Sequence, residues 1–431
     1  MDLRQELETR GFLKQFTDEK LFDLYENGWE VLYVGVDPTA DSMHLWNFVQ
    51  FMHAVNYMKR WNKLILIVGW ATWMIGDPWG KDSERTFLSK EQLAANVQNI
   101  EKQMHAMLDN LTQQSWIVFD VEVINNAEFY EWMWYLDFLR EVGKYMTINQ
   151  MMTRETVKKR IEDPDKSISY TEFSYMLLQW YDFVHLYRNY GCKLQIAWSD
   201  QRWNVVTWIE LIRKLENTES YGITCNLVTD STWRKFWKSE WNAIWLSAEK
   251  NSSYVCYNYF MNCGDDDIKS YLLLFTLLSP ESIQEIVDEH MQKPHQRAWQ
   301  SKLAFEVTKI IYGEAAALQC VAIKVMLYDT SNPSDAFNSL ESQVLDEAYR
   351  AVGWSETRDW ERLLEVLVNC GLVDSNAEAK KAIKNNAISL NGTKIKDIGY
   401  ELQANDFING YGLVKKGKKT FKIIKQITNN R

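Results

Sequence analysis

Four short segments of this 431-residue chain group polar and charged side chains at spacings that could do chemistry. Asp37-Pro38-Thr39-Ala40-Asp41-Ser42-Met43-His44-Leu45-Trp46-Asn47 is a turn with several potential capping residues, leading into an apolar stretch from Phe48. A helix N-terminus binds anions through its free N–H groups and its dipole. His44 there is placed to touch a phosphate, although a lone histidine at a helix start is usually an ordinary cap. Residues 68–81 run from an apolar stretch into turn residues that include Asp77. In residues 171–182, Tyr175, Gln179 and Asp182 fall at i, i+4 and i+7, on one face of a helix. That face suits a small ligand with several hydrogen-bond donors, whereas alone it would more often be a solvated face. Lys235-Phe236-Trp237-Lys238-Ser239 sets two lysines around an aromatic pair, an arrangement able to neutralise a polyphosphate leaving group.

The elements that must position these groups are legible around them. Residues 31–37 and 64–68 read as buried strands, and 48–59 between them has Phe48, Met52, Val55 and Met58 on one helical face. Strand, helix, strand over this length is a βαβ unit and implies a parallel sheet. Residues 194–196 and 223–228 supply later strands, and ligands in such sheets sit at the strands' carboxyl ends. The pattern turns helical from 268 to 326, and 329–335 is turn-rich. From Trp360 a new unit begins, with helices at 363–369 and 377–384 and a strand entering the Asn391-Gly392 turn. The expected organisation is a catalytic domain at 1–228, a helical domain at 229–330, a linker at 331–359 and a small domain at 360–431.

Composition narrows the partners. The chain is 46% hydrophobic, which excludes a disordered protein, and it contains no long uncharged apolar run that would span a membrane. The first residues, Met1-Asp2-Leu3-Arg4, have no apolar core of a secretory signal. Six cysteines without CxxC spacing read as buried thiols of a cytoplasmic protein, with no metal site. The net charge is −10, yet residues 376–431 hold twelve Lys/Arg against four acidic residues. A basic module on an acidic body points to a phosphate-backbone partner, with Lys380, Lys381, Lys384, Lys415 and Lys416 as candidate contacts.

Together the segments resemble the bacterial tyrosyl-tRNA synthetases, class I, over essentially the whole chain. His44-Leu45-Trp46-Asn47 is similar to the HIGH signature, and Lys235 to Ser239 to the KFGKS/T loop. The run Ala197-Trp198-Ser199-Asp200-Gln201-Arg202-Trp203-Asn204 is similar to GGSDQxGN, and 360–425 to an S4-like RNA-binding domain. The resemblance implies an α/β fold: a Rossmann-like parallel-sheet catalytic domain, then an α-helical domain, then a small α+β S4-like domain. It implies that Tyr33 and Asp182 bind the substrate's phenolic hydroxyl, and that Asp77, Tyr175 and Gln179 hold its ammonium. Gln195 and Gln201 would stand near the tyrosine carboxylate, and Asp200 on the ATP ribose. Asp37, Thr39 and His44 would line the phosphates, Asn47 would be catalytic beside His44, and Trp46 and Trp198 would lie beside the nucleotide. Lys235, Lys238 and Ser239 would close over pyrophosphate. The implied reaction is tyrosine activation by ATP with Mg2+, then transfer to tRNA(Tyr), in a homodimer.

One departure from the family pattern is systematic. Trp46, Trp61, Trp70, Trp73, Trp180, Trp198, Trp203, Trp208, Trp233, Trp237 and Trp241 stand where the family has glycine, and the chain has 20 Trp against 18 Gly. Glycine lets backbone approach a ligand and adopts positive φ freely; an indole blocks the first and makes the second costly. Drift does not convert one residue into one other so consistently. UGA encodes tryptophan in some genetic codes and glycine in another, so the pattern predicts a misread reassigned codon at these sites, with UGG at Trp245. If the tryptophans stand in the working protein, the chain reads instead as a catalytically inactive, synthetase-like RNA-binding protein.

Overall fold

The structure is a computed structural model that describes residues 1–75, 88–152, 155–163, 167–226, 244–292, 297–328, 342–352, 354–417 and 420–427. The chain divides into two units, Met1–Ser247 with Cys263–Leu303, and Ala248–Asn262 with Ala304–Arg431.

The first unit is built on six strands: β1 (Gln15–Phe16), β2 (Val31–Val36), β3 (Lys63–Val68), β4 (Val121–Asn125), β5 (Leu194–Trp198) and β6 (Tyr221–Cys225). Their order is β1-β6-β5-β2-β3-β4; β2 to β6 run parallel and β1 is an antiparallel edge against β6. Every residue of β5 and β6 is buried, as befits central strands of a parallel sheet covered on both faces, with Gln195 and Thr224 the polar exceptions in otherwise apolar or small sequence. The chain moves outward from β2 through β3 to β4, then returns to the other side of β2 as β5. That reversal leaves a crevice at the carboxyl ends of β2 and β5.

Three helices frame the crevice. Leu45–Met58 follows β2 with His44 at its N-cap and is buried over most of its circumference. Lys90–Ser115 and Tyr170–Tyr190 each start at a reciprocal capping box, Ser89 with Gln92 and Ser169 with Glu172. Tyr170–Tyr190 ends at Gly191, whose φ of 67° closes the helix in the left-handed conformation. The strand β4 and the long Lys90–Ser115 helix were not anticipated from the sequence.

The second unit carries β7 (Trp354–Thr357), β8 (Ile388–Leu390), β9 (Thr393–Lys394), β10 (Tyr411–Lys416) and β11 (Thr420–Gln426), in the order β7-β11-β10-β8-β9. Asn391 and Gly392 join β8 to β9 with φ of 47° and 85°, the two successive positive values that a tight hairpin turn demands. Helices Leu363–Asn369 and Asn376–Lys384 pack their apolar sides on this sheet, with Leu367, Ile383, Ile388 and Ile424 in one core. The Ser342–Val352 helix and β7 lie within the residues read as a linker; Val344, Leu345, Ala348 and Tyr349 bury one face of that helix.

Beneath the crevice, His53 of the Leu45–Met58 helix is fully buried and stacks on Phe12 with ring centroids 4.9 Å apart. Neither ring nitrogen has a hydrogen-bond partner, and burial pushes the imidazole down to about 3. The unfolded chain binds this proton near the ordinary value of 6.5, while the folded chain does not. Stability therefore falls as the pH drops from about 6.5 toward 3, by about 2 kcal/mol at pH 5. Replacing His53→Phe should remove this component, so that denaturation curves at pH 7 and pH 5 lie closer together than in the parent.

Candidate active site

The crevice is a cleft of about 360 Å³. Its walls bring together Tyr33, Asp37, Thr39, His44, Trp46, Asn47, Tyr175, Gln179, Asp182, Gln195, Trp198 and Gln201, from segments far apart in sequence. Tyr33 of β2 and Gln195 of β5 are register partners, so their side chains share one face of the sheet. Both are buried, and Gln195 Oε1 has no hydrogen-bond partner, which leaves an acceptor facing the cleft. Asp37 and Thr39 are exposed at the end of β2. The loop that follows is held from the Lys90–Ser115 helix: Asn96 Nδ2 donates to Pro38 O at 3.0 Å, and Gln103 Oε1 accepts from Met43 N at 2.9 Å.

His44 caps the next helix in extended conformation, and its backbone N–H donates to Asn47 Oδ1 at 3.1 Å. Burial lowers the His44 pKa, favouring a neutral imidazole beside Trp245, whose ring lies 5.8 Å away. At the end of β3, Gly69 has no room for a side chain. A Cβ there would stand 2.6 Å from Thr72 Oγ1 and 3.1 Å from Asp37 Oδ1.

Asp182 is the most heavily constrained group. Burial raises its pKa to about 7, against hydrogen bonds from Tyr130 and Asn126 that favour the carboxylate. Asn126 Nδ2 reaches Asp182 Oδ2 at 3.0 Å and Thr72 Oγ1 at 3.2 Å, while Asn126 Oδ1 accepts from Ala71 N at 2.7 Å. Tyr130 Oη stands 2.7 Å from Asp182 Oδ1. Sequence reasoning missed both residues; the polar Asn125-Asn126 pair after Val121-Glu122-Val123-Ile124 was the available signal. Tyr33, also fully buried, has its phenol pushed well above the ordinary range by burial, so it remains a neutral donor.

Two tryptophans meet in the cleft. The Trp46 and Trp198 rings stack with centroids 3.4 Å apart and planes 20° from parallel, between the start of the Leu45–Met58 helix and the end of β5. Trp70 and Trp208 bury their indole nitrogens without an acceptor, an omission that costs about 1–3 kcal/mol each.

Other expected site residues are placed differently. Asp77, Lys235, Lys238 and Ser239 lie outside the described residues, as does the side chain of Asp200. In the second unit, Lys380, Lys381 and Lys384 are exposed on one helix. Lys415 corrects the expectation of an RNA contact: its side chain is buried and donates from Nζ to Leu327 O at 2.6 Å. Tyr411 to Lys415 are all buried, so this strand is covered on both faces, which a count of basic residues does not register. Lys416 is half-buried and paired with Glu378.

The sheet places its cleft at the β2/β5 reversal, as nucleotide-binding α/β folds do, and comparison with known proteins assigns the chain to the class I aminoacyl-tRNA synthetases. Residues 27–328 match the family model for class I tRNA synthetases (W and Y), and residues 348–424 match that for a tyrosine–tRNA ligase SYY-like C-terminal domain. The tyrosine–tRNA ligase of Streptococcus agalactiae is 38% identical over 428 residues, covering 98% of this chain and 99% of its own length. Tyrosine–tRNA ligase 1 of Streptococcus thermophilus is 39% identical, covering 97% and 98%. Among solved structures, a C-terminally truncated mitochondrial tyrosyl-tRNA synthetase of Aspergillus nidulans superposes with a TM-score of 0.68 at 27% identity, covering 74% of this chain and 92% of its own. The chain belongs to the tyrosine–tRNA ligase family.

The helix that carries Tyr175, Gln179 and Asp182 is anchored by a buried ion pair. Arg160 donates to both oxygens of Glu172, at 2.9 and 3.0 Å, in the first turn of Tyr170–Tyr190. Removing one partner strands the other charge away from water. Arg160→Met should therefore lower unfolding free energy by about 3–5 kcal/mol, read from urea denaturation.

Proposed function

We propose that this chain activates L-tyrosine with ATP to tyrosyl-adenylate and pyrophosphate, then transfers the tyrosyl group to the 3′ end of tRNA(Tyr). The observation that carries the reading is the buried, ionisable Asp182 facing Tyr33 and Gln195 in a cleft whose far end is the capped start of a helix. In this reading Asp182 and Tyr33 bind the phenolic hydroxyl. A site built around that hydroxyl rejects phenylalanine, because the analogue leaves buried polar groups unpaired. Tyr175, Gln179 and Asp77 would hold the ammonium, and Gln195 and Gln201 the carboxylate. Asp37, Thr39, His44 and Asn47 would face the phosphates and Asp200 the ribose, with Lys235, Lys238 and Ser239 neutralising pyrophosphate. Magnesium would enter with ATP as part of the substrate. The carboxylate of tyrosine attacks the α-phosphorus in line, a reaction that needs positioning and charge stabilisation without a covalent enzyme intermediate.

The partner assignments follow. Lys380, Lys381 and Lys384, exposed on one helix of the basic C-terminal unit, are the candidate tRNA contacts. Trp132, Trp134, Tyr135, Leu136 and Ile148 are each exposed in the first unit, apolar area of the kind that a homodimer would cover. Among the described residues, no helix is long and apolar enough to cross a membrane. Five of the six cysteines are buried and none is in a CxxC pair, as expected of a cytoplasmic protein.

The working protein, in this proposal, carries glycine where the stacked pair Trp46 and Trp198 stands. Backbone conformation supports the same conclusion independently of any relative. Trp29, Trp61 and Trp116 have φ of 68°, 62° and 59°, a left-handed region that costs an ordinary L-residue about 1–2 kcal/mol. Trp116 closes the Lys90–Ser115 helix in the same way that Gly11 and Gly191 close two others. Trp29 and Trp116 are 82% and 90% exposed, and although Trp29 stacks on Trp61 with ring centroids 6.5 Å apart, no burial compensates the strain at either. Trp29 and Trp116 thereby join the positions expected to be glycine.

Two measurements test these readings. Tyrosine-dependent ATP–pyrophosphate exchange should be detected with the protein isolated from its own cells and should be lost in Asp182→Ala; exchange without dependence on tyrosine overturns the assignment. The intact mass of that protein should fall below the mass of the sequence as written by one indole side chain for each reassigned site, with UGA codons at Trp29, Trp46, Trp61, Trp116 and Trp198. UGG codons there, or an unreduced mass, reject the glycine reading.

A further inference from the structure

Tyr130 follows the short 3-10 turn Asn126–Phe129 after β4, in a position that no motif marked. Its hydroxyl lies 2.7 Å from Asp182 Oδ1 and 2.8 Å from Leu178 O. It has one proton for two acceptors, and an ionised carboxylate is the stronger. The ring is fixed among aromatic neighbours, with centroids 5.7 Å from Tyr181, 6.4 Å from Phe138 and 6.5 Å from Phe129. Asn126 occupies the other carboxylate oxygen from the opposite side. Two donors on fixed supports thus hold Asp182 in one orientation, while each oxygen keeps a second lone pair for a ligand.

We propose that Tyr130 is a positioning residue for phenol recognition, holding the Asp182 carboxylate ionised and aimed so that it accepts the hydroxyl of the substrate. This inference rests on the tyrosine-binding reading above. Asp182 sits among phenols: Tyr33 from β2, Tyr130 from the turn after β4, and Tyr175 and Tyr181 from its own helix are the titratable groups around it among the described residues. Burial and the neighbouring carboxylate push the Tyr130 phenol well above its ordinary value, so it stays a donor throughout the working range. The Asp182 carboxyl itself titrates at about 7 because burial opposes its charge. A donor lost from it has a direct consequence, since the hydrogen bonds from Tyr130 and Asn126 are what oppose burial and favour the charged form.

The balance has a definite sign. With Tyr130 intact, binding of tyrosine strengthens as the pH rises through about 7, because the ionised carboxylate is the acceptor. Without the Tyr130 hydroxyl the midpoint moves to higher pH. At pH 7 the variant then holds fewer ionised carboxylates, and tyrosine affinity falls while affinity for phenylalanine, which has no hydroxyl to offer, does not.

Tyr130→Phe keeps the ring and its packing and removes only the oxygen. Calorimetric titration of L-tyrosine and L-phenylalanine from pH 6 to 9, on the full chain of each protein, reads the effect without requiring ATP. The expected result is a roughly tenfold loss of tyrosine affinity at pH 7, an upward shift of the midpoint, and recovery toward the parent at pH 9, with phenylalanine binding unchanged. An unchanged midpoint and an unchanged tyrosine-to-phenylalanine ratio overturn the role of Tyr130 while leaving the tyrosine site in place. If the parent protein shows no preference for tyrosine at any pH, the site reading itself falls and the inference with it. A loss of both ligands in equal measure assigns Tyr130 to packing alone and also rejects the proposal.

Discussion

A carboxylate taken out of water must be given donors or it gives up its charge, and Asp182 is where this structure meets that constraint. Asn126, from the end of β4, and Tyr130, from the turn beyond it, supply the donors. Asn126 in turn holds Thr72 and the backbone of Ala71, which fix the chain leaving β3. One buried charge therefore ties together the ends of two strands and the middle of a helix.

The other side of the cleft obeys a different rule. There the backbone does the work: a helix N-terminus, a loop clamped by Asn96 and Gln103, and a glycine at 69 that admits no side chain. Carbonyls and amides can face a polyphosphate only where side chains are small. The stacked rings of Trp46 and Trp198 stand in that backbone-lined region, and the left-handed tryptophans elsewhere in the first unit repeat the same mismatch between side chain and backbone. A bulky residue misplaced in a cleft and one misplaced at a helix terminus share no function. They share only the conformational demand that glycine meets.

Much of the frame was legible because its signals are local. The β2–helix–β3 unit appears as two apolar runs around a helical face, and the Asn391-Gly392 hairpin as a dipeptide. Tyr175, Gln179 and Asp182 could be placed on one face from spacing alone, and all three line the cleft. What escaped was relational. Tyr130 and Asn126 become important only once β4 is laid beside β3, and β4 itself alternates too weakly to announce a strand. Lys415 looked like its basic neighbours because charge counts ignore which way a strand turns its side chains.

The edge strand β1 carries a consequence for how the chain is born. Gln15 and Phe16 pair with Thr224 and Ile223, and the central strand β2 takes β5 as its neighbour only after the intervening helices have been made. Contacts between residues so far apart close large loops and form slowly. During synthesis the first strands therefore wait on the ribosome with their apolar faces uncovered until β5 and β6 have emerged. The sheet is complete only once residue 225 of 431 has been made, and the pace of decoding residues 88–226 sets how long its apolar edges stay uncovered.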